Sequence, residues 1–239
     1  DAAIESYGYA LKIDPEYAEA YFNMAIAKNN KGDVKAAIDS YKLAIDVRPD
    51  YTDAYMNMGV ALQDMGDLEA ALDSYKQAIR IESHYDDAYY NMGNALNSMG
   101  AQEGAIASYK QAIKINPDHA EAFNNMGIVL DDLGDREAAI ASYNQAIKVK
   151  PEYAEAYNNT GIALNGGGDP DAAIRSYNIA LNIKPDYVEA YNNMGSALNN
   201  KGELEAAIKC FSQGLNVEPA NAAIWNSLQF PLQAMKLKD

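Results

Sequence analysis

The 239-residue sequence is poor in the residues that carry most protein chemistry. It has one cysteine, Cys210, which excludes an intramolecular disulfide. Two histidines, His84 and His119, and that lone thiol supply no paired spacing for a zinc site, so no metal or other cofactor is expected. No glycine-rich phosphate loop ending in Gly-Lys-Ser/Thr occurs, and no constellation of nucleophile and base points to catalysis, so the chain reads as a non-enzyme. No apolar run approaches the roughly 20 residues that cross a bilayer. Positive charge is scarce, with 19 Lys and Arg against 34 Asp and Glu and a formal net charge of −15. That balance opposes a nonspecific grip on nucleic-acid phosphates and favours neutral or basic partners. The opening residues lack the basic stretch of a signal peptide. A cytoplasmic location is expected, and a start inside a longer gene product, since no initiator Met is present. With 49% apolar and 22% charged residues the chain is globular, not disordered.

What the sequence has in abundance is repetition. Pro15, Pro49, Pro117, Pro151, Pro185 and Pro219 are separated by 34 residues or twice 34, and Ser83 fills the missing place. Tyr7, Tyr41, Tyr75, Tyr109, Tyr143, Tyr177 and Phe211 keep the same step, as do Ala3, Ala37, Ala71, Ala105, Ala139, Ala173 and Ala207. Six complete repeats are expected, at 18–51, 52–85, 86–119, 120–153, 154–187 and 188–221. Residues 1–17 read as the second helix of a truncated repeat. Residues 222–239 read as a first helix acting as a cap with a short tail, with Trp225 in the aromatic place.

Each repeat reads as two helices. The first runs, for example, from Ala120 to Leu133 and stops at a Gly-Asp break such as Gly134-Asp135. Glycine suits a left-handed C-cap, and aspartate suits the next N-cap. The second helix carries Ala139, Ile140, Tyr143, Ala146, Ile147 and Val149 at helical spacing, until proline ends it. With Tyr157, Gly161, Leu164, Ala173, Tyr177, Ala180 and Pro185 in the small and large places of one repeat, the pattern resembles the tetratricopeptide repeat. The resemblance implies an all-α fold, a right-handed superhelical solenoid of antiparallel helix pairs in one domain. First helices would line its concave face and bind proteins or peptides.

In that family, ligand contacts come mainly from the second, fifth, sixth, ninth, twelfth and thirteenth residues of each repeat. Here the second is acidic throughout: Glu19, Asp53, Asp87, Glu121, Glu155 and Glu189. The sixth is always an amide: Asn23, Asn57, Asn91, Asn125, Asn159 and Asn193. The fifth changes from large, at Phe22, Met56 and Tyr90, to amide, at Asn124, Asn158 and Asn192. An amide row carries donors and acceptors that match an extended peptide backbone. The chain is similar in this to the superhelical arm of the O-linked N-acetylglucosamine transferases. The doubled amides place ligand contact preferentially in the last three complete repeats. The co-chaperone members of the family clamp a carboxylate with Lys and Arg. Acids and amides stand in those places here, so acidic ligands are disfavoured.

Other features read as structure. Met24, Met58, Met92, Met126 and Met194 belong to the core. Asp131-Asp132 is a solvated acid pair near a helix end, and Asn165–Pro170 is an interhelix turn. Asn158-Asn159-Thr160, though a formal glycosylation sequon, lies mid-helix and is discounted. The leading expectation is a noncatalytic scaffold for extended, neutral or basic peptide segments. Two alternatives are the substrate-recruiting arm of a larger enzyme, such as a transferase, and a scaffold that self-associates weakly head to tail through Ile4, Tyr7 and Leu11.

Overall fold

Two signals, a left-handed glycine and an aspartate behind it, divide the chain into short helices. In the computed structural model, which describes residues 2–236, every regular element among them is an α-helix. Asp1–Pro117 and Asp118–Asp239 form two compact bodies. The first holds α1 (Ala2–Ile13), α2 (Ala18–Asn30), α3 (Val34–Val47), α4 (Thr52–Asp64), α5 (Leu68–Ile81), α6 (Asp86–Ser98) and α7 (Gln102–Ile115). The second holds α8 (Ala120–Asp132), α9 (Arg136–Val149), α10 (Ala154–Gly166), α11 (Pro170–Ile183), α12 (Val188–Asn200), α13 (Leu204–Val217) and α14 (Ala222–Lys236). The final three residues of the expected tail lie outside the described residues.

Within each body the helices stack as pairs: α2 with α3, α4 with α5 and α6 with α7, then α8 with α9, α10 with α11 and α12 with α13. Each body is therefore an all-α solenoid of helix pairs. In the first, α1 packs on α2; in the second, α14 packs on α13 and α12. No helix among the described residues is long and apolar enough to cross a membrane.

The turn between α8 and α9 shows why the pairs form. Gly134 has φ +84°, a conformation that costs a side-chain-bearing residue about 1–2 kcal/mol. Its N–H donates to the Asp131 carbonyl at 2.9 Å, and the Asp135 N–H donates to the Leu130 carbonyl at 2.9 Å, closing the helix end. The Asp135 carboxylate then accepts from the Ala138 N–H at 3.2 Å and opens the next helix. Asp33, Asp67 and Asp169 repeat the cap. Ala101 and Glu203 occupy the same place before α7 and α13 with no side-chain cap. Leu133, expected inside the first helix, sits just beyond its last residue as the C-cap.

Inside a pair, one aromatic fills the space that one glycine leaves. A Cβ on Gly127 of α8 would fall 2.6 Å from Tyr143 Cε1 of α9, so the two backbones approach only because that atom is missing. Tyr143 is 2% exposed, and the core around it includes Ala139 and Ala163. The same contact recurs at Gly59, Gly93, Gly161 and Gly195. Burial pushes the hydroxyl of Tyr41 up to about 12 and the Cys210 thiol up to about 12. Cys210 thus packs as a small apolar residue, not as a reactive thiolate.

Candidate functional site

Half of the fifth-position column is buried, and the rest is half-buried. Met56 is buried in the core of its helix pair. Phe22 packs on Tyr51 and Tyr41, with ring centroids at 4.9 and 5.9 Å, and Tyr90 packs on Tyr109 at 6.1 Å. Asn124 is 0% exposed and Asn158 is 4% exposed. The expectation that the added amides turn toward a ligand is therefore corrected at Asn124 and Asn158: both lie in the interior.

Their burial is stabilised by a ladder. Asn159 Nδ2 donates to Asn124 Oδ1 at 3.0 Å, and Asn193 Nδ2 donates to Asn158 Oδ1 at 3.0 Å. Each rung joins the fifth residue of one repeat to the sixth residue of the next, which meets the requirement that buried amides be hydrogen-bonded. Asn124 Nδ2 also donates to Asn125 Oδ1 at 3.3 Å. The ladder ends at Asn192, a half-buried residue whose Oδ1 is buried and unbonded. The place of the next amide is held by Ser227, whose short hydroxyl donates to the Ala223 carbonyl of its own helix.

The sixth-position column behaves differently in the two bodies, with one shared result. Asn57 Nδ2 donates to the Asp53 carbonyl at 2.8 Å, and Asn91 Nδ2 donates to the Asp87 carbonyl at 2.9 Å, each within its helix. Asn159 and Asn193 commit the same nitrogen to the ladder. In all four, the protein occupies an amide N–H and the side-chain carbonyl oxygen has no hydrogen bond among the described residues. Asn23 is exposed.

Part of the acidic column is already neutralised. Glu19 pairs with Arg48, and Glu121 pairs with Lys150 at 2.9 Å. Hydrogen bonds from Arg48 and Lys150 hold these two carboxyls below the ordinary glutamate range. Arg48 and Lys150 also lie over the rings of Tyr51 and Tyr153, at 4.5 and 4.7 Å from the centroids. Asp53, Glu155 and Glu189 are exposed and form no ion pair among the described residues. Asp87 is exposed as well.

A cavity of about 230 Å³ opens in the second body, lined by Ile128, Asp131 and Asp132 of α8, Tyr143 of α9, and Asn159 and Ile162 of α10. Only Asn159 among these is named as a contact from sequence, although Ile128, Ile162, Asp131 and Asp132 stand at the ninth, twelfth and thirteenth places from which the family draws its contacts. The ninth-position isoleucines gave no polar signal in the sequence, and Tyr143 read as core.

Models of tetratricopeptide repeats match residues 1–32, 27–66, 64–100 and 93–134, then 124–188 and 164–229. The chain is a tetratricopeptide-repeat protein. Members of this family are protein-interaction modules. No curated protein matches the sequence. Among solved structures, MamA is 29% identical, with a TM-score of 0.64 over 68% of this chain and 95% of that one. YrrB, described as a TPR protein with an unusual peptide-binding site, is 22% identical, with a TM-score of 0.62 over 79% and 97%. The pilF protein of Pseudomonas aeruginosa is 15% identical, with a TM-score of 0.74 over 87% and 95%. The last two likenesses bear on the fold of this tetratricopeptide-repeat chain alone.

Proposed function

We propose that the chain is a noncatalytic scaffold that holds extended, neutral or basic protein segments along its first helices. One observation carries this reading: Asn57, Asn91, Asn159 and Asn193 each tie up an amide N–H internally and keep a carbonyl oxygen unbonded. In each body these amides thus keep the whole acceptor capacity of the oxygen and only one of their two N–H donors. With the exposed carboxylates of Asp53, Glu155 and Glu189 on the same helices, this surplus of acceptors matches donors: backbone N–H groups, ammonium and guanidinium. A partner rich in carboxylates meets exposed groups of its own charge.

Magnitudes limit the affinity. Net hydrogen bonds contribute about 0.5–1.5 kcal/mol each, while association costs about 4–15 kcal/mol. The row alone gives weak binding, and contacts to the side chains of the partner must add to it. Calorimetric titration with unstructured basic, neutral and acidic peptides tests the reading. Basic and neutral peptides are expected to bind, and Asn57→Ala with Asn91→Ala to weaken them several-fold. Those variants remove the acceptors and put the best helix former in their place. Equal or tighter binding of the acidic peptide would sink the proposal.

A second reading, weak self-stacking, is favoured by the apolar surface of α1. That helix has no buried residue; Ile13 is 87% exposed and Tyr9 65%. On α14, Trp225 and Phe230 are exposed as well.

A further inference from the structure

The cavity at Asp131 and Asp132 is set apart from the other repeats by its paired acids. At the twelfth and thirteenth places the other repeats carry Asn29-Asn30, Gln63-Asp64, Asn97-Ser98, Asn165-Gly166 and Asn199-Asn200, so only here are both acidic. Acidic residues alone make no site, and a second observation decides the matter. In the first body, Tyr75 donates its hydroxyl to Gln63 Oε1 at 3.1 Å, and Tyr109 donates its hydroxyl to Asn94 Oδ1 at 2.8 Å. The equivalent hydroxyl of Tyr143, like those of Tyr41 and Tyr177, has no hydrogen bond among the described residues, although the residue is 98% buried, and Tyr143 lines the cavity. The acceptor place used by Tyr109 is Ile128 here, which has nothing to offer. Asp131 Oδ1 is buried and makes no hydrogen bond either; its nearest cation is Arg136, with Nε at 3.6 Å. The Asn159 carbonyl oxygen is a third open acceptor.

We propose that this cavity takes one cationic side chain, lysine or arginine, of the bound segment. Two carboxylates, a phenol and an amide oxygen would receive the charged head, and Ile128 and Ile162 would line its methylene stem. Arg136 acts as the internal competitor, half-neutralising Asp131 until a better-placed cation displaces it. The inference rests on the peptide-scaffold reading, because Asn159 belongs both to the amide row and to the cavity wall.

NMR titration of the full chain tests it with three small probes: the blocked methylamides of arginine, lysine and citrulline, the last having the shape of arginine without its charge. The two cationic probes are expected to shift the amide signals of 128–132 and 159–162 and to bind about fivefold or more tighter than citrulline, on the scale of one modest ion pair. Asp132→Asn, an exposed change, should erase most of that preference. Tyr143→Phe should weaken the cationic probes alone, and Arg136→Ala should strengthen them. Equal responses to citrulline and arginine, or indifference to Asp132→Asn, overturn the proposal. Serine-alanine peptides bearing one arginine or one citrulline separate it from the parent reading. If both peptides bind equally and Asn57→Ala weakens both, the scaffold stands and the cationic cavity falls. If the blocked arginine binds and neither peptide does, the cavity stands and the extended-segment reading falls.

Discussion

Gly127 has no side chain because Tyr143 occupies its place. An alanine there would put Cβ 2.6 Å from Tyr143 Cε1, so the ring or one of the two backbones must shift. Gly127→Ala is expected to destabilise the second body by about 1–3 kcal/mol, the usual range for overpacking. Gly8 sits in helix α1 with nothing within 4 Å of a built Cβ. Gly8→Ala should therefore stabilise, by roughly 0.5–1 kcal/mol, through helix propensity alone. Urea denaturation of the two variants should show opposite signs. The unbonded Asn192 carbonyl gives a third change at this scale. Ser227→Asn would supply the missing donor and is expected to add about 0.5–1.5 kcal/mol, read by the same denaturation. If stability is unchanged, the ladder has no energetic role at that end. The sequence concealed these amides for a physical reason. Asn reads as polar wherever it stands, and its burial depends on a partner 35 residues away, which no pattern within one helix reveals.

At the scale of helices the sequence was far more legible. Glycine at a left-handed C-cap and aspartate at the following N-cap are local devices, fixed by a few neighbouring backbone groups, so Gly134-Asp135 marks its turn without knowledge of the fold. Leu133 fell one residue outside its helix because the C-cap keeps near-helical backbone angles, φ −78° and ψ −6°. Ala101 stands where four other repeats have the capping aspartate, with nearly the same backbone, φ −84° and ψ 61° against φ −85° and ψ 67° at Asp135. Ala101→Asp should restore the bond to the third N–H of α7 and raise stability by about 0.5–2 kcal/mol. Thermal denaturation followed by circular dichroism checks it; an unchanged or lower midpoint would count against the cap as the missing element.

For the whole molecule, charge sets the behaviour. The chain carries −15, but Glu19 and Glu121 are held by Arg48 and Lys150, and both carboxyls are pulled below their ordinary 4.5. A depressed carboxylate pKa adds stability that is present above the unfolded value and is lost as pH falls through the folded one. The melting temperature should therefore drop as pH falls below about 4.5. In a Glu19→Gln, Glu121→Gln variant the drop should be shallower. Parallel curves for the two proteins would show that neither pair matters. The apolar surface of α1, with Ile13 and Tyr9 outermost, predicts concentration-dependent self-association. Sedimentation equilibrium should detect it, and Ile13→Lys should reduce it; a strict monomer at high concentration rules it out.

The amide ladder also gives the array a direction. Each rung has a donor end and an acceptor end, so a repeat can be exchanged only for one that continues the sentence. A duplicated copy of 154–187 inserted after itself would present Asn159 to the preceding Asn158 and offer its own Asn158 to Asn193, keeping every link grammatical. A copy of 52–85 in that place would put the apolar Met56 opposite the Asn193 donor and leave that N–H without an acceptor. Growth of such an array by duplication is therefore not neutral with respect to which repeat is copied: the amide-bearing repeats can lengthen it, and the others interrupt it.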